Sequence, residues 1–201
     1  IASAPWDEKS ITIRRSTDNG NTWSTFEVVS PQVKITKLQM QLLTGVGQEF
    51  LNVYYKGADN KLHLFTTNIS QGGHSNGTYS SIGEIKDFST TKSTEPSTGL
   101  QRVFIVYVKV NDVLFGARTA PGNYGINFID PYDLSVLGEQ VHLSYGHGGS
   151  LYLTYIGKDS RKIYAEVHPN FLDPGTSTSF ANLGDEITME FKNPVIAASR
   201  K

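Results

Sequence analysis

A repeat of about 50 residues runs along the sequence, and it restricts the fold more than any other feature does. Three runs rich in β-branched and aromatic residues carry the repeat: 50–56, 103–109 and 150–156. The tyrosine that all three runs share recurs after 53 and then 48 residues, as Tyr54, Tyr107 and Tyr155. Each run is followed by a short polar turn and a second strand-like run, at 61–67, 113–118 and 161–167. This pattern predicts three β-hairpins.

A second landmark recurs once in each unit, as an apolar residue followed by glycine and an acid. Its copies lie at 82–84, 137–139 and 183–185, which gives spacings of 55 and 46 residues. Two independent landmarks therefore agree on the length of the unit. That length holds four short strands with their turns, which is the size of one β-propeller blade, whereas a two-sheet sandwich predicts no landmark at this period.

The two ends of the chain supply half a unit each. Strand-like runs at 10–15 and 25–30 correspond to a third and a fourth strand, and runs at 186–191 and 195–199 correspond to a first and a second strand. Pairing the ends in one blade would remove exposed sheet edges. The sequence therefore predicts an all-β protein: a β-propeller of four blades, each with four antiparallel strands, closed by N- and C-terminal strands that share one blade.

We predict a single domain over residues 1–201. Its blades would be residues 34–85, 86–138 and 139–184, with a composite blade made of 185–201 and 1–33. Two other assemblies stay open at this point. The chain could be a slice of a longer propeller, or several copies could associate into a larger ring.

Charge and composition exclude several functional classes. The chain has 18 Lys and Arg against 19 Asp and Glu, so no net field draws nucleic acid or an anionic membrane to it. It has no cysteine, which excludes disulfides, thiolate metal sites and a cysteine nucleophile. No apolar stretch is long enough for membrane insertion. Acceptor tripeptides for N-glycosylation at 68–70 and 76–78 favour a secreted, extracellular protein.

The most specific local motif is the octet 16–23, which fits Ser-x-Asp-x-Gly-x-Thr-Trp at every fixed position. In a hairpin turn, Asp18 can accept hydrogen bonds from backbone N–H groups, Gly20 can take a positive φ, and Trp23 can pack its ring under the turn. The octet resembles the Asp-box of the sialidase and BNR-repeat β-propeller superfamily.

This resemblance implies a turn between the third and fourth strands of a blade, with a structural rather than a catalytic role. The five fixed residues of that turn are Ser16, Asp18, Gly20, Thr22 and Trp23. The other predicted blades lack the motif. The chain is therefore similar to a degenerate, lectin-like member of the superfamily.

Catalysis of the sialidase type would need a set of residues whose spacing the sequence does not show. The resemblance implies three arginines on the substrate carboxylate, a tyrosine nucleophile supported by a glutamate, and an aspartate acid/base. The arginines show no such spacing: Arg14, Arg15, Arg102, Arg118, Arg161 and Arg200. Motifs for a serine nucleophile elbow, a zinc protease and a phosphate loop are also missing. We predict no catalytic residues, and the scattered histidines predict no metal site.

One face of the predicted propeller collects the turns between second and third strands and the corners between blades, because successive strands are antiparallel. The turn residues are Lys56, Asp59, Lys109, Asp112, Asp159 and Arg161. The corner residues are Trp6, Asp7, Glu84, Glu139 and Asp185. Such carboxylates, cations and an aromatic ring could bind sugars at several equivalent places. The alternative is that these residues only satisfy backbone groups in their own turns.

These patterns favour a non-enzymatic carbohydrate-binding or adhesive module. Its expected partners are glycans or glycoproteins. We expect no nucleic-acid partner and no membrane insertion, and the oligomeric state stays open. No cofactor is expected, although turn carbonyls and carboxylates could hold Ca²⁺. One alternative is a propeller that presents its loops to a protein partner, and the other is a glycoside hydrolase of the sialidase type.

Overall fold

The structure, a computed structural model, describes residues 2–3, 10–31, 33–45, 47–95, 98–146 and 150–168. Within these ranges every regular element is a β-strand, which confirms the all-β prediction for them. The described residues include no helix with the length and apolar character needed to cross a membrane. Two compact units divide the chain, residues 1–84 and 85–201.

The first unit contains two antiparallel sheets. The three-stranded sheet has the order β1 (Ala2–Ser3), β2 (Ile11–Arg15) and β3 (Ser24–Val29). The four-stranded sheet is a meander of β4 (Ile35–Gly45), β5 (Gln48–Gly57), β6 (Leu62–Asn68) and β7 (His74–Thr78). Side chains of both sheets form one core, in which Ile11 and Ile13 of β2 cluster with Val53 and Phe65. Their spacing of two places Ile11 and Ile13 on the same face of the strand.

The second unit is one antiparallel sheet of six strands in sequence order. They are β8 (Ile85–Thr94), β9 (Gln101–Lys109), β10 (Val113–Thr119), β11 (Phe128–Tyr145), β12 (Leu151–Gly157) and β13 (Ile163–His168). Residues 103–108 of β9 are at most 1% exposed. Both faces of this strand are therefore covered, which explains its continuous run of β-branched and aromatic residues.

Strand β11 is long because it pairs with two different neighbours. Its first part, up to Leu137, pairs with β10, and its second part, from Gly138 onwards, pairs with β12. Ser135 and Gln140 have positive φ values of 56° and 49°, and the register shifts on both sides of the change. The strand thus changes partner between Leu137 and Gly138, one residue before the blade boundary that the sequence predicts.

All three predicted hairpins are confirmed, because β5 pairs with β6, β9 with β10 and β12 with β13, each antiparallel. Each turn contains a residue in the left-handed region, at φ of 60°, 68° and 57° for Asn60, Asp112 and Arg161. A left-handed residue at this place lets the chain reverse direction within a short turn.

The tyrosines of the repeat are core residues. Tyr54, Tyr107 and Tyr155 are 0%, 1% and 5% exposed. Burial raises the pKa of all three, and for Tyr107 to about 12. The predicted composite blade falls largely outside the described residues, since 185–201 are not among them. The division into blades, the single domain and the closure of a ring stay predictions.

Candidate functional site

The turn between β2 and β3 is formed by the octet 16–23, and its hydrogen bonds converge on one carboxylate. The Thr22 hydroxyl donates to Asp18 Oδ2 at 2.5 Å, and the Thr22 amide donates to Asp18 Oδ1 at 2.9 Å. The Ser16 hydroxyl donates to Asp18 Oδ1 at 2.7 Å and accepts from the Gly20 amide at 2.8 Å. These donors, led by the Thr22 hydroxyl, lower the pKa of Asp18 to about 2. The predicted hydrogen bonding of Asp18 is therefore confirmed.

Trp23 ends the same turn. Its indole Nε1 donates to the Gly20 carbonyl at 3.0 Å, and Gly20 has the predicted positive φ, at 93°. That conformation is readily accessible only to glycine. The Trp23 side chain remains 43% exposed. The turn therefore holds an indole ring in a fixed place while leaving much of it accessible to solvent.

A cleft of about 330 Å³ lies beside this turn within the first unit. Its apolar lining comes from Ile13, Met40, Leu42, Leu51 and Ile69. Trp23 and Phe26 add two aromatic side chains, and Phe26 is 38% exposed. Exposed aromatic rings beside an apolar concave surface are typical of small-molecule sites.

Charged side chains of both signs line the same cleft. Arg14 and Arg15 are the last residues of β2, and Glu49 is the second residue of β5. The main chain of Glu49 is fixed twice, because its amide donates to the Ser70 hydroxyl at 3.0 Å and its carbonyl accepts from the Ile69 amide at 2.8 Å. Guanidinium donors, a carboxylate acceptor and two aromatic rings therefore share one cavity.

The predicted site residues of the first unit lie in other places, in and beside the β5–β6 turn. The Asp59 carboxylate accepts from the Lys61 amide at 3.2 Å and lies 3.1 Å from His63 Nε2. The Lys56 ammonium donates to a threonine hydroxyl of β4 at 3.4 Å. Glu84 forms an isolated β-bridge with Lys61. The cleft lies at the end of the meander that holds the β4–β5 and β6–β7 turns, since Glu49 and Ile69 line it. The β5–β6 turn lies at the opposite end.

Several predicted residues of the second unit make local contacts. The Lys109 ammonium lies 4.2 Å from the centroid of the Phe115 ring, which is a cation–π contact. The Arg161 guanidinium donates to the Glu139 carboxylate at 3.1 Å, so the structure brings these two predicted residues together. Asp159 lies exposed in the turn between β12 and β13.

Asp112 differs from the other turn acids because it is only 2% exposed. Its carboxylate forms ion pairs with the ammonium groups of Lys86 and Lys158. Its carbonyl accepts from the Gly138 amide at 2.9 Å, which links the turn to β11. A carboxylate this deeply buried is shielded from a sugar hydroxyl, so the expected direct contact with a ligand meets a steric obstacle at Asp112.

Three predicted site residues, Trp6, Asp7 and Asp185, lie outside the described residues. Within the described ranges, no three His, Asp or Glu side chains are placed to hold a metal ion. The sequence patterns do not single out Phe26 or Glu49, and they indicate only a structural role for Trp23. The adjacent arginines 14 and 15, directly before the specific turn, were the available signal for this end of the hairpin.

No family model and no curated protein matches the sequence. Among solved structures, the chain is similar to a lectin from Aleuria aurantia in complex with α-methyl-L-fucoside, with a TM-score of 0.57 and 10% identity over 87% of this chain and 52% of the lectin. The same lectin in complex with Fucα1-6GlcNAc gives a TM-score of 0.56, with the same identity and coverage. An exo-β-1,3-galactanase from Phanerochaete chrysosporium with β-1,3-galactotriose gives 0.56 and 11% identity over 86% of this chain and 43% of the enzyme.

The chain thus spans about half the length of these proteins. At such low identity the likeness concerns the fold, which is of the β-propeller type. Nothing in these comparisons extends the sialidase resemblance beyond the octet 16–23. The described residues around the cleft therefore belong to an all-β fold with propeller-type neighbours among solved structures.

Proposed function

We propose that the chain is a non-enzymatic carbohydrate-binding module of the lectin type, and that the cleft of the first unit is its sugar site. The observation that carries the proposal is the set of side chains in that cleft. Exposed Trp23 and Phe26 line it together with Arg14, Arg15 and Glu49. This combination provides each kind of contact that a sugar ring requires.

A sugar has two chemically different surfaces, and the cleft has a partner for each. The C–H face of the ring would pack against the aromatic rings and the apolar lining. The hydroxyl groups would donate to the Glu49 carboxylate and accept from the arginines. The cavity, at about 330 Å³, is near the lower limit of small-molecule sites, which fits a mono- or disaccharide better than a long chain.

Several of the predicted turn residues make contacts of their own, which makes them weaker candidates than the exposed aromatic rings of the cleft. Asp59 lies against His63, and Glu139 accepts from Arg161. Asp112 is buried and forms ion pairs with two lysines. A sugar at these places would have to displace an existing ion pair or hydrogen bond, which lowers its affinity.

Similar solved structures hold saccharides: a fucoside, Fucα1-6GlcNAc and galactotriose. They support a sugar ligand in general terms. We propose further that the chain contributes blades to a propeller, either as a closed four-bladed ring or by association of several copies. Repeated sites in such an assembly would increase avidity for multivalent glycans or glycoproteins.

The test is a glycan array, followed by calorimetry with the best ligand and an assay for its cleavage. We expect binding without cleavage. Phe26→Ala and Glu49→Gln should each weaken binding about ten-fold or more, because each removes a direct contact. Val28→Ala is the matched control, since Val28 is also exposed on β3 and does not line the cleft.

Equal affinity of Phe26→Ala, Glu49→Gln and the unmodified protein would place the sugar elsewhere. Cleavage of the ligand would favour the glycoside hydrolase alternative. Absence of binding on the array, together with capture of a protein partner, would favour the alternative of a propeller that binds a protein. The two-unit fold of each variant should be checked by its amide spectrum before binding is compared.

A further inference from the structure

The second unit contains a cluster of three charges that the proposed sugar site does not use. Lys86 lies on β8, Asp112 in the β9–β10 turn and Lys158 in the β12–β13 turn. Both ammonium groups form ion pairs with the Asp112 carboxylate. Three separate elements of the sheet therefore meet at one acid.

The carboxylate at the centre of the cluster is held in a fixed position. Asp112 has φ of 68° and is 2% exposed. Its amide donates to the Lys109 carbonyl at 2.9 Å, and its carbonyl accepts from the Gly138 amide at 2.9 Å. Hydrogen bonds to the turn and to β11 therefore fix both the amide and the carbonyl of Asp112.

The two lysines, in contrast, are accessible. The side chains of Lys86 and Lys158 are 44% and 40% exposed, against 2% for Asp112. Each ammonium has three N–H donors, and one carboxylate balances only one of the two positive charges. The cluster therefore carries an excess positive charge and has further donors at a solvent-accessible place.

We infer that Lys86 and Lys158 form a binding site for an oxyanion, namely the carboxylate or sulfate group of an acidic sugar. An oxyanion between the two ammonium groups accepts hydrogen bonds from both and balances the excess charge. The Asp112 carboxylate pairs with both ammonium groups, so its negative charge competes with the anion for them. The anion site stands on this geometry alone, and only the sugar as its carrier rests on the proposed function.

The alternative is a structural clamp, in which the two ion pairs only hold the strands together. Such a clamp explains less of the cluster. One ammonium is enough to balance Asp112, so the second lysine is not needed for neutrality. Two half-exposed cations on a single buried acid are instead a preformed pair of donors for an anion. The two roles differ in what they predict when Asp112 itself loses its charge.

The experiment titrates the full chain with four probes at constant ionic strength, with chloride as the balancing salt. The probes are inorganic sulfate, glucuronate, galactose 6-sulfate and neutral galactose. The readout is the ¹⁵N shift of the Asp112 and Gly138 amides. We expect saturable shifts with sulfate and with the acidic sugars, and none at these amides with galactose. The ratio of the glucuronate and galactose 6-sulfate affinities distinguishes a carboxylate ligand from a sulfate ligand.

We expect each single lysine variant to fold, because each leaves one ammonium on Asp112. Lys86→Gln and Lys158→Gln should each lower the affinity for sulfate about ten-fold. Asp112→Asn should raise that affinity, because it removes the competing negative charge while Asn tolerates the left-handed backbone. Lys162→Gln, a change in the same β12–β13 turn, is the matched control and should have no effect.

Absence of saturable sulfate binding would overturn the inference. An equal loss of affinity in Lys162→Gln would overturn it too, since the attraction would then be general. A weaker affinity in Asp112→Asn would show that the cluster is only a clamp. Binding of sulfate but of neither acidic sugar would overturn the inference that the ligand is a sugar. The sugar site in the cleft of the first unit is tested separately by Phe26→Ala.

Discussion

Two turn carboxylates, one in each unit, are held in opposite ways. Asp18 in the first unit accepts hydrogen bonds from neutral donors that lie within four residues of it. Asp112 in the second unit is buried, and its partners are two cations from distant parts of the sequence, Lys86 and Lys158. One turn is therefore stabilised by its own residues, and the other depends on the assembled sheet.

The repeated glycine shows the same contrast between local and long-range causes. Gly83 in the first unit has φ of 75°, and a Cβ there would meet nothing within 4 Å. Gly138 in the second unit is packed closely, because a Cβ would lie 2.8 Å from the Tyr155 ring and 3.0 Å from the Ile156 carbonyl oxygen. The two positions share a residue type for different physical reasons.

The largest effect is expected when the long-range partners of Asp112 are removed together. The double change Lys86→Met and Lys158→Met leaves a buried carboxylate without a cation, which should lower the free energy of unfolding by about 3–5 kcal/mol. Urea denaturation at pH 7 measures it. Adding Asp112→Asn should restore most of the loss.

The matched control is Lys61→Met with Lys162→Met, which removes the same number of charges at exposed or half-buried positions. This control should change the free energy of unfolding by less than about 0.5 kcal/mol. A loss below about 1 kcal/mol in the Lys86 and Lys158 double variant would show that Asp112 is solvated when the lysines are gone.

A smaller effect should separate the two landmark glycines. Gly138→Ala should lower the free energy of unfolding by about 1–3 kcal/mol through overpacking. Gly83→Ala should lower it by about 1 kcal/mol through backbone strain alone. Asparagine distinguishes the causes: Gly83→Asn should be milder than Gly83→Ala, whereas Gly138→Asn should be more harmful than Gly138→Ala. The reverse ranking in chemical denaturation would contradict the contrast.

The smallest effect is expected at Asp18, whose turn is exposed. Its pKa is lowered from 3.8 to about 2, so its contribution to stability is complete above pH 4 and is lost as the pH falls towards 2. The ¹⁵N shift of the Thr22 amide should follow this titration. In Asp18→Asn the dependence on pH at this amide should disappear while the rest of the amide spectrum stays unchanged. A Thr22 midpoint near 4 would mean that the hydrogen bonds do not favour the carboxylate.

The sequence allowed accurate prediction where the cause is local. The three hairpins follow from short runs and their turns, and the hydrogen bonds of Asp18 follow from one octet. The charge cluster could not be predicted in this way, because Asp112, like the exposed Asp59, is an acid in a polar hairpin turn, and only the assembled sheet buries it. The exposure of the residues on β3 could not be predicted either. Phe26 and Val28 alternate as residues of a buried face would, yet both are exposed, while Val29 belongs to the core.

Amide and indole shifts during titration with the best array glycan test the proposed sugar site most directly. We expect saturable shifts at the Trp23 indole N–H and the Glu49 amide, with little change at the amides of Asp59 and Arg161. Shifts confined to the turns that contain Asp59, Asp112 and Arg161, with none at Trp23 and Glu49, would contradict the assignment of the cleft and return the site to those turns.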